Sequence, residues 1–142
     1  MPRSDPAAPC PCGLGHPYGD CCGRLHRAQA AAPTAELLMR SRFSAYVVHN
    51  AAYLLRTWHP TTRPPGIQFD PQQRWLRLDV LGGTGGGLFD TDGTVEFRAH
   101  YRRHRRSGVL QEHSRFVRHS GVWVYLDPIP PTSPRRNASG WA

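Results

Sequence analysis

The sequence predicts an α+β fold in which helices come first and a meander of antiparallel strands follows. In residues 34–58 the apolar side chains recur at helical spacing, whereas in residues 75–126 they recur at every second position. Pairs of serine, aspartate and glycine separate the predicted strands, so neighbouring strands can be joined by hairpins. Helices that precede a run of antiparallel strands are typical of the α+β class.

The first helix is predicted to begin after Thr34, because a threonine that follows Pro33 can cap the free N–H groups of the first turn. Glu36 lies in that turn, where a carboxylate interacts favourably with the helix dipole. The pattern that follows predicts an amphipathic helix. Its apolar face comprises Leu38, Met39, Phe43, Tyr46 and Val47, and the opposite face comprises Arg40, Ser41 and Ser44.

A second, shorter helix is predicted from residue 51 to about residue 58, with Asn50 as its cap. It ends there because His59-Pro60 cannot continue a helix. Residues 61–71, rich in proline, are predicted to form a long connection to the sheet.

The predicted sheet has four strands, near residues 75–81, 95–101, 109–118 and 122–126. In the second strand, apolar residues alternate with charged ones, which indicates one buried and one exposed face. The first strand is expected to stop at Gly82-Gly83. Ser107-Gly108 has the turn chemistry of a hairpin before the third strand, and Ser120-Gly121 has it before the fourth.

By composition, the 142 residues divide into three zones. We expect a small cysteine-containing module in residues 1–32, the α+β domain in residues 33–127 and a flexible tail of proline and arginine in residues 128–142. No apolar run reaches the length of a membrane span, and the N-terminus lacks the apolar core of a signal peptide. The expected location is therefore the cytoplasm, where thiols stay reduced.

All eighteen basic residues are arginines, and against ten acidic residues they give a formal net charge of +8. The absence of lysine excludes Schiff-base catalysis, a lysine general base and a phosphate-binding loop that needs lysine. The sequence also lacks the Gly-x-Ser-x-Gly and His-Glu-x-x-His motifs. These absences favour a binding protein over an enzyme.

The four cysteines form two pairs, Cys10 with Cys12 and Cys21 with Cys22, which eight residues separate. Zinc prefers four soft ligands in a tetrahedron, and small closed sites usually take them from paired positions. The intervening glycines allow so short a loop to fold back on itself. The spacing therefore predicts one structural Zn²⁺ held by all four cysteines.

Other interpretations of this segment stay open. His16 or His26 could replace one cysteine as a ligand, and His26, four residues beyond the last cysteine, is the better placed. Redox-active thiols are a second alternative, because Arg24 and Arg27 would favour the thiolate. Adjacent cysteines could form only a strained disulfide, so that alternative is the weakest.

Residues 10–23, Cys-Pro-Cys-Gly-Leu-Gly-His-Pro-Tyr-Gly-Asp-Cys-Cys-Gly, resemble the SEC-C zinc motif, best known from the C-terminal end of the bacterial translocation ATPase SecA. The fourth ligand of that motif is commonly histidine, so the last cysteine is a departure that keeps a ligand-type residue in place. Segments 38–46, 57–64, 93–97 and 113–118 resemble the YchJ-like family of bacterial proteins. The resemblance implies a zinc motif joined to a nuclear-transport-factor-2-like domain, a curved sheet wrapped around helices. It implies no biochemical activity.

A cone-shaped fold of this kind often encloses a cavity between helix and sheet. The residues predicted to line it are Trp58, His59, Tyr101, Glu112, Ser114 and Trp123. A carboxylate on a buried face is either paired or shifted toward its protonated form. Glu112 could therefore act with His59 or His113 as an acid–base set. Alternatively, it could meet Arg42 or Arg115 and order the sheet.

The densest basic stretch of the chain is a candidate anion-binding surface formed by Arg98, Arg102, Arg103, Arg105 and Arg106. Such a surface could bind nucleic-acid phosphates with salt-dependent affinity and little sequence specificity. It could also be a solvated face, or a strand that its charge protects from aggregation.

Three functional hypotheses follow from the sequence. The first is a zinc-stabilised binding or adaptor protein whose cysteine module contacts a protein or ribonucleoprotein partner, by analogy with the SecA motif. The second is a small-molecule binder or enzyme that uses the cone cavity, and the third is a non-specific RNA or DNA binder. None of the three involves insertion into a membrane.

Overall fold

The computed structural model of the protein describes residues 5–130 of the chain. Within that range the helices precede the strands, as the sequence predicts. A 3-10 helix spans Tyr18–Asp20, and the α-helices are α1 (Cys22–His26), α2 (Ala35–Val47) and α3 (Ala51–Arg56). The strands are β1 (Gln73–Gly85), β2 (Asp92–Arg103), β3 (Arg106–His119) and β4 (Val122–Pro128). Most of the predicted tail, residues 131–142, lies outside the described residues.

Both predicted caps are found at the starts of their helices. The Oγ1 atom of Thr34 accepts a hydrogen bond from the backbone N–H of Leu37 at 3.2 Å, and α2 begins there. The Oδ1 atom of Asn50 accepts one from the backbone N–H of Tyr53 at 3.0 Å, and α3 begins there. α3 ends at Arg56, earlier than the sequence predicts.

The chain leaves α3 early because the next residues pair with the sheet. The backbone N–H of Tyr125 donates to the carbonyl oxygen of Thr57, and the N–H of His59 donates to the carbonyl oxygen of Tyr125, both at 2.8 Å. These bonds form a parallel bridge between Trp58 and Tyr125 on β4. They hold the buried Trp58 side chain against the end of the sheet.

The four strands form one antiparallel sheet in the order β1-β2-β3-β4, so that each strand lies beside its neighbour in sequence. The alternation predicted for β2 is confirmed, because Val95, Phe97 and Ala99 are buried and the residues between them are more exposed. β1 continues past the stop predicted at Gly82 as far as Gly85, and two register shifts interrupt its pairing with β2. The α+β class with a four-stranded antiparallel sheet is thus confirmed.

The hairpin between β2 and β3 differs from the prediction. The chain turns at His104-Arg105, whose φ angles are 52° and 69°, and not at Ser107-Gly108. Gly108 lies inside β3 opposite Tyr101, where a Cβ atom would come within 2.5 Å of the tyrosine ring. Glycine therefore serves the close approach of Tyr101, not the turn. The turn predicted between β3 and β4 is confirmed, with positive φ at both of its residues.

α2 packs against the sheet and is buried on more than its apolar face. Its predicted apolar residues Leu38, Met39, Phe43 and Tyr46 all belong to the main core. The side chains expected on the opposite, polar face include Ser41 and Ser44, and both of these are also fully buried. Another part of the chain must therefore cover that face. In residues 5–130 no helix is long and apolar enough to cross a membrane.

Candidate metal centre

The four cysteines converge at the N-terminal end of the described chain. The 3-10 helix and α1 carry Cys21 and Cys22 back toward Cys10 and Cys12. The sulfur atoms of the four all lie within 4.8 Å of one another. Three of these side chains are buried, and that of Cys21 is partly exposed. The two cysteine pairs of the sequence thus form a single cluster of four sulfur atoms.

A tight loop between the two pairs makes this convergence possible. The backbone N–H of Cys10 donates to the carbonyl oxygen of His16 at 2.9 Å, and Pro9 and Pro17 form an isolated antiparallel bridge beside it. Gly13 and Gly15 have φ angles of 86° and 89°, in the left-handed region that favours glycine. The loop therefore reverses the chain with glycines at the two positions that need them.

The spacing of the sulfur atoms suits a tetrahedral metal ion. The Sγ atoms of Cys12 and Cys21 are 3.6 Å apart, far longer than a disulfide bond of about 2.05 Å. A tetrahedron with a Zn–S distance of about 2.3 Å has edges of about 3.8 Å. The four thiols are therefore placed as a closed set of soft ligands, and the residues present fit zinc.

The thiols also govern one another's ionisation. The pKa of Cys10 lies far below its ordinary value, chiefly because the thiols of Cys12 and Cys22 donate hydrogen bonds to its sulfur. The hydrogen bond to Cys10 raises the pKa of Cys12 to about 12. Hydrogen bonds to Cys10 and Cys12, together with burial, raise the pKa of Cys22. The thiols of Cys10, Cys12 and Cys22 therefore do not ionise independently of one another.

The structure places neither candidate histidine in the cluster. Nε2 of His26 is 2.9 Å from the carbonyl oxygen of Ser41, to which it donates. Nδ1 of the same ring is 2.5 Å from the hydroxyl of Tyr18, from which it accepts a hydrogen bond. Burial lowers the pKa of His26, which is consistent with this neutral, doubly hydrogen-bonded ring. The side chain of His16 is exposed.

Instead of a ligand role, His26 helps to attach the cysteine module, residues 5–32, to the domain. This module covers the polar face of α2. Nη1 of Arg40 donates to the carbonyl oxygen of Cys12 at 2.7 Å, and the hydroxyl of Ser44 lies 3.6 Å from the Sγ atom of Cys10. Nη2 of Arg56 on α3 donates to the carbonyl oxygen of Leu25 at 3.1 Å. Polar contacts therefore link the module to both α2 and α3. The sequence marked Arg40 and Ser44 only as polar residues opposite the apolar face.

A second polar cluster lies inside the domain, around Glu112, whose residue is 6% exposed. Its carboxylate accepts hydrogen bonds from the hydroxyl of Ser114 at 2.6 Å and from the hydroxyl of Tyr125 at 2.9 Å. Burial raises the pKa of Tyr125, and the nearby carboxylate adds to that shift. Tyr125 therefore remains a hydrogen-bond donor to Glu112.

Arg42, at 3% exposure, supplies the cation of this interior. Its Nη1 atom donates to the carbonyl oxygen of Leu54 at 2.9 Å and to the hydroxyl of Thr57 at 2.7 Å. The guanidinium carbon lies 4.9 Å from the ring centroid of Trp58 and 4.8 Å from that of Tyr125. Burial lowers the pKa of Arg42, while the surrounding tyrosines and Glu112 favour its charged form. Tyr125 thus connects cation and carboxylate, through its ring and its hydroxyl.

The acid–base set considered for Glu112 is not assembled. Nδ1 of His59 accepts hydrogen bonds from the backbone and hydroxyl of Thr61, at 3.1 and 2.7 Å. His113 pairs with Glu96 across the sheet and alternates with Glu112, so it lies on the other face. Arg115, the other proposed arginine partner, pairs with Asp127 at 2.7 Å on the exposed side.

The cone cavity predicted from the sequence stays a prediction. Trp58, Glu112, Ser114 and Trp123 are buried, whereas Tyr101 and His59 are partly exposed. None of these six residues lines the groove of about 310 Å³ that lies between the start of α2 and the glycine-rich end of β1.

Two family models match the chain. The model described as YchJ, middle NTF2-like domain, matches residues 34–128, and the SEC-C motif matches residues 8–24. A UPF0225 protein of Streptomyces avermitilis is 57% identical over 125 residues, which cover 88% of this chain and 86% of the relative. A UPF0225 protein of Corynebacterium glutamicum is 53% identical over 116 residues, or 82% of this chain and 92% of the relative.

Two solved structures of SEC-C motif containing proteins share the fold. The solution structure from Rhodopseudomonas palustris superposes with a TM-score of 0.74 at 34% identity, covering 86% of this chain and 98% of that one. The crystal structure from Psychrobacter arcticus superposes with a TM-score of 0.70 at 27% identity, covering 92% of this chain and 86% of that one.

Proposed function

This chain belongs to the YchJ-like family of SEC-C motif proteins, and we propose that it is a binding protein built around one structural Zn²⁺. Cys10, Cys12, Cys21 and Cys22 would hold the ion. The observation that carries the proposal is the convergence of their four sulfur atoms within 4.8 Å. Thiolates are soft ligands, and a tetrahedral set of four is a common environment of structural zinc.

The composition of the ligand set makes the ion structural. Four protein ligands fill the tetrahedron, whereas catalytic zinc keeps one position for water or substrate. Three of the four thiols are buried, which limits access to the centre. The ion would therefore hold the loop and α1 in shape on the surface of α2. A reducing compartment such as the cytoplasm would keep the thiols available for it.

The adaptor role is supported by what the module exposes. The loop between the cysteine pairs carries Leu14, 39% exposed, beside the exposed His16. A rigid loop that presents an apolar residue can contact another protein at little cost in conformational entropy. Together with the resemblance to the SecA motif, this favours a protein or ribonucleoprotein partner bound by the module.

The zinc content of the purified protein tests the metal centre. We expect about one zinc per chain in the wild-type protein and none in the Cys21→Ser/Cys22→Ser variant, because two remaining thiolates cannot close the site. The His16→Gln variant is the matched control and should keep its zinc. Circular dichroism should show that the sheet of the cysteine variant remains folded. A wild-type protein without zinc, or a His16→Gln variant that loses it, would contradict the proposal.

Capture of partners from a lysate of the source cells tests the adaptor role separately. A partner should be retained by the wild-type protein and by Arg115→Gln, which changes an exposed residue on the sheet. The cysteine variant and Leu14→Ser should both lose it. A partner that binds all four proteins equally would show that the module is not the docking surface.

A further inference from the structure

The half of the sheet that ends at the hairpin between β2 and β3 carries a concentration of exposed arginines that the zinc proposal does not use. We call it the arginine tip, and it comprises Arg74, Arg98, Arg102, Arg103, Arg105 and Arg106. Arg74 belongs to β1, and Arg98, Arg102 and Arg103 belong to β2. Arg105 lies in the turn of the hairpin, and Arg106 is the first residue of β3. All six side chains are exposed.

The strand order excludes protection of a sheet edge as the reason for the charge on β2 and β3. β2 and β3 are the two central strands, and each is paired on both sides. Charged residues protect sheets from aggregation at edge strands, where backbone groups are unpaired. The edges of this sheet are β1 and β4, and the tip is centred on the hairpin between the other two.

The pairing register places like charges against each other. Arg74 is the cross-strand partner of Arg102, and Arg103 is the partner of Arg106. Like charges directly opposite each other destabilise a sheet. A bound polyanion would relieve this repulsion. A face that only contacts solvent gives no reason to place arginines opposite each other.

The turn of the hairpin gives a second, independent indication. His104 and Arg105 both have positive φ angles, of 52° and 69°. A two-residue turn of this kind favours asparagine and glycine, and other residues adopt it at a cost. The chain therefore carries basic side chains at the point of the hairpin where small residues would be less strained.

Much of the tip lacks neutralising partners. Arg103 pairs with Asp70, and Arg98 donates to the side-chain oxygen of Gln111 at 3.1 Å. Among residues 5–130, no ion pair involves Arg102, Arg105 or Arg106. Three guanidinium groups with free donors thus lie together at the end of one hairpin. Planar guanidinium groups match phosphate oxygens in a bidentate geometry.

We propose that the arginine tip binds the phosphate backbone of nucleic acid without reading its sequence. The interface would be electrostatic, since arginine contacts to phosphates position a protein and carry no base information. A membrane surface is disfavoured because His104 to Ser107 include no apolar side chain that could insert among lipids. A protein partner is disfavoured because the cores of protein interfaces are predominantly apolar, whereas His104 to Ser107 are all polar or charged.

Binding titrations with a short RNA duplex, and with a DNA duplex of the same sequence, test the proposal. The wild-type affinity should fall about 100-fold between about 50 and about 200 mM salt, as expected for about four phosphate contacts. The Arg102→Gln/Arg105→Gln/Arg106→Gln variant should reduce the slope of log affinity against log salt by about 2.5 to 3. Backbone amide shifts on titration should be confined to the tip, near residue 74 and residues 98–107.

The matched control removes the same charge elsewhere, in Arg24→Gln/Arg63→Gln/Arg115→Gln. It should keep the wild-type salt slope, because those side chains lie outside the tip. The comparison of RNA with DNA identifies the preferred source of phosphate, and binding to either supports the proposal. Equal slopes for the tip variant and the wild-type protein would overturn it. So would binding to anionic phosphatidylglycerol vesicles with none to either duplex.

Discussion

The cysteine module and the sheet domain are held together by different chemistry. The buried cluster of the module consists of Cys10, Cys12, Tyr18 and Cys22. The main core contains eighteen buried residues, of which all but Ala32 and Trp58 come from α2, α3 and the strands. A segment as short as the module cannot bury enough apolar surface to fold alone, and such segments usually need a metal ion or disulfides. The module therefore depends on its ligands and on α2, while the domain has a core of its own.

α2 lies between the two parts and contacts both of them. Its apolar face packs into the main core, and its opposite face meets the module through Ser41 and Ser44. Both serine side chains are fully buried although they are polar. The Ser44 hydroxyl lies beside the Cys10 thiol, whereas the Ser41 hydroxyl donates to the carbonyl oxygen of Leu38 and lies 2.7 Å from the hydroxyl of Tyr53 on α3. A polar helix face can thus be an interior surface when the segments covering it supply matched polar groups.

The largest effect is expected in the domain, from Arg42→Met. Removal of one member of a buried charged network leaves the others uncompensated, and here Glu112 would lose the nearby cation. We expect the free energy of unfolding to fall by about 3–5 kcal/mol. Denaturation by urea, followed by tryptophan fluorescence, measures it.

The double variant Arg42→Met/Glu112→Gln controls for the loss of packing. It should recover part of that loss, because no buried carboxylate then remains without its cation. Zinc content should stay at the wild-type level, since the network lies across α2 from the module. A loss below 1 kcal/mol for Arg42→Met would mean that water reaches this interior.

Within the module, His26→Ala should have a smaller effect on stability and none on zinc stoichiometry. The change removes the hydrogen bonds that the buried ring makes with the hydroxyl of Tyr18 and the carbonyl oxygen of Ser41. We expect a loss of about 2–3 kcal/mol in the local stability of α1, measured by amide hydrogen exchange. Tyr18→Phe, which removes only one of these bonds, should cost about half as much. Loss of zinc from His26→Ala would instead return the histidine to the ligand set.

The contrast between the two parts also separates what the sequence could predict from what it could not. The caps at Thr34 and Asn50 were predictable, because a cap depends on residues three positions apart. Convergence of the cysteines was predictable for a similar reason, since only eight residues separate the two pairs. The position of the module on α2 was not, because it depends on contacts between residues far apart in sequence.

Non-local packing also explains the wrong turn. Ser107-Gly108 has good turn chemistry, yet Gly108 is required where the Tyr101 ring crosses the neighbouring strand. The sequence suggested Arg42 as one partner of Glu112, but it could not show that Tyr125 connects the two groups. Hydrophobic patterning treats an arginine on a helix as exposed. The burial of Arg42 is explained by the aromatic rings of Trp58 and Tyr125, which interact with its guanidinium group.

The smallest effect, and the sharpest test of how far the two parts depend on each other, is expected from Arg56→Met. Arg56 is exposed, and its guanidinium donates to the carbonyl oxygen of Leu25 at 3.1 Å and lies 4.9 Å from the ring centroid of Tyr53. Methionine keeps much of the apolar stem but loses the donor, so the loss should be about 1 kcal/mol or less. It should appear as faster amide exchange in α1, with global unfolding of the sheet unchanged.

If α1 exchanges at the wild-type rate, the module is held by its metal ligands and α2 alone, and α3 is merely adjacent. If the sheet itself loses stability, the two parts unfold as one unit.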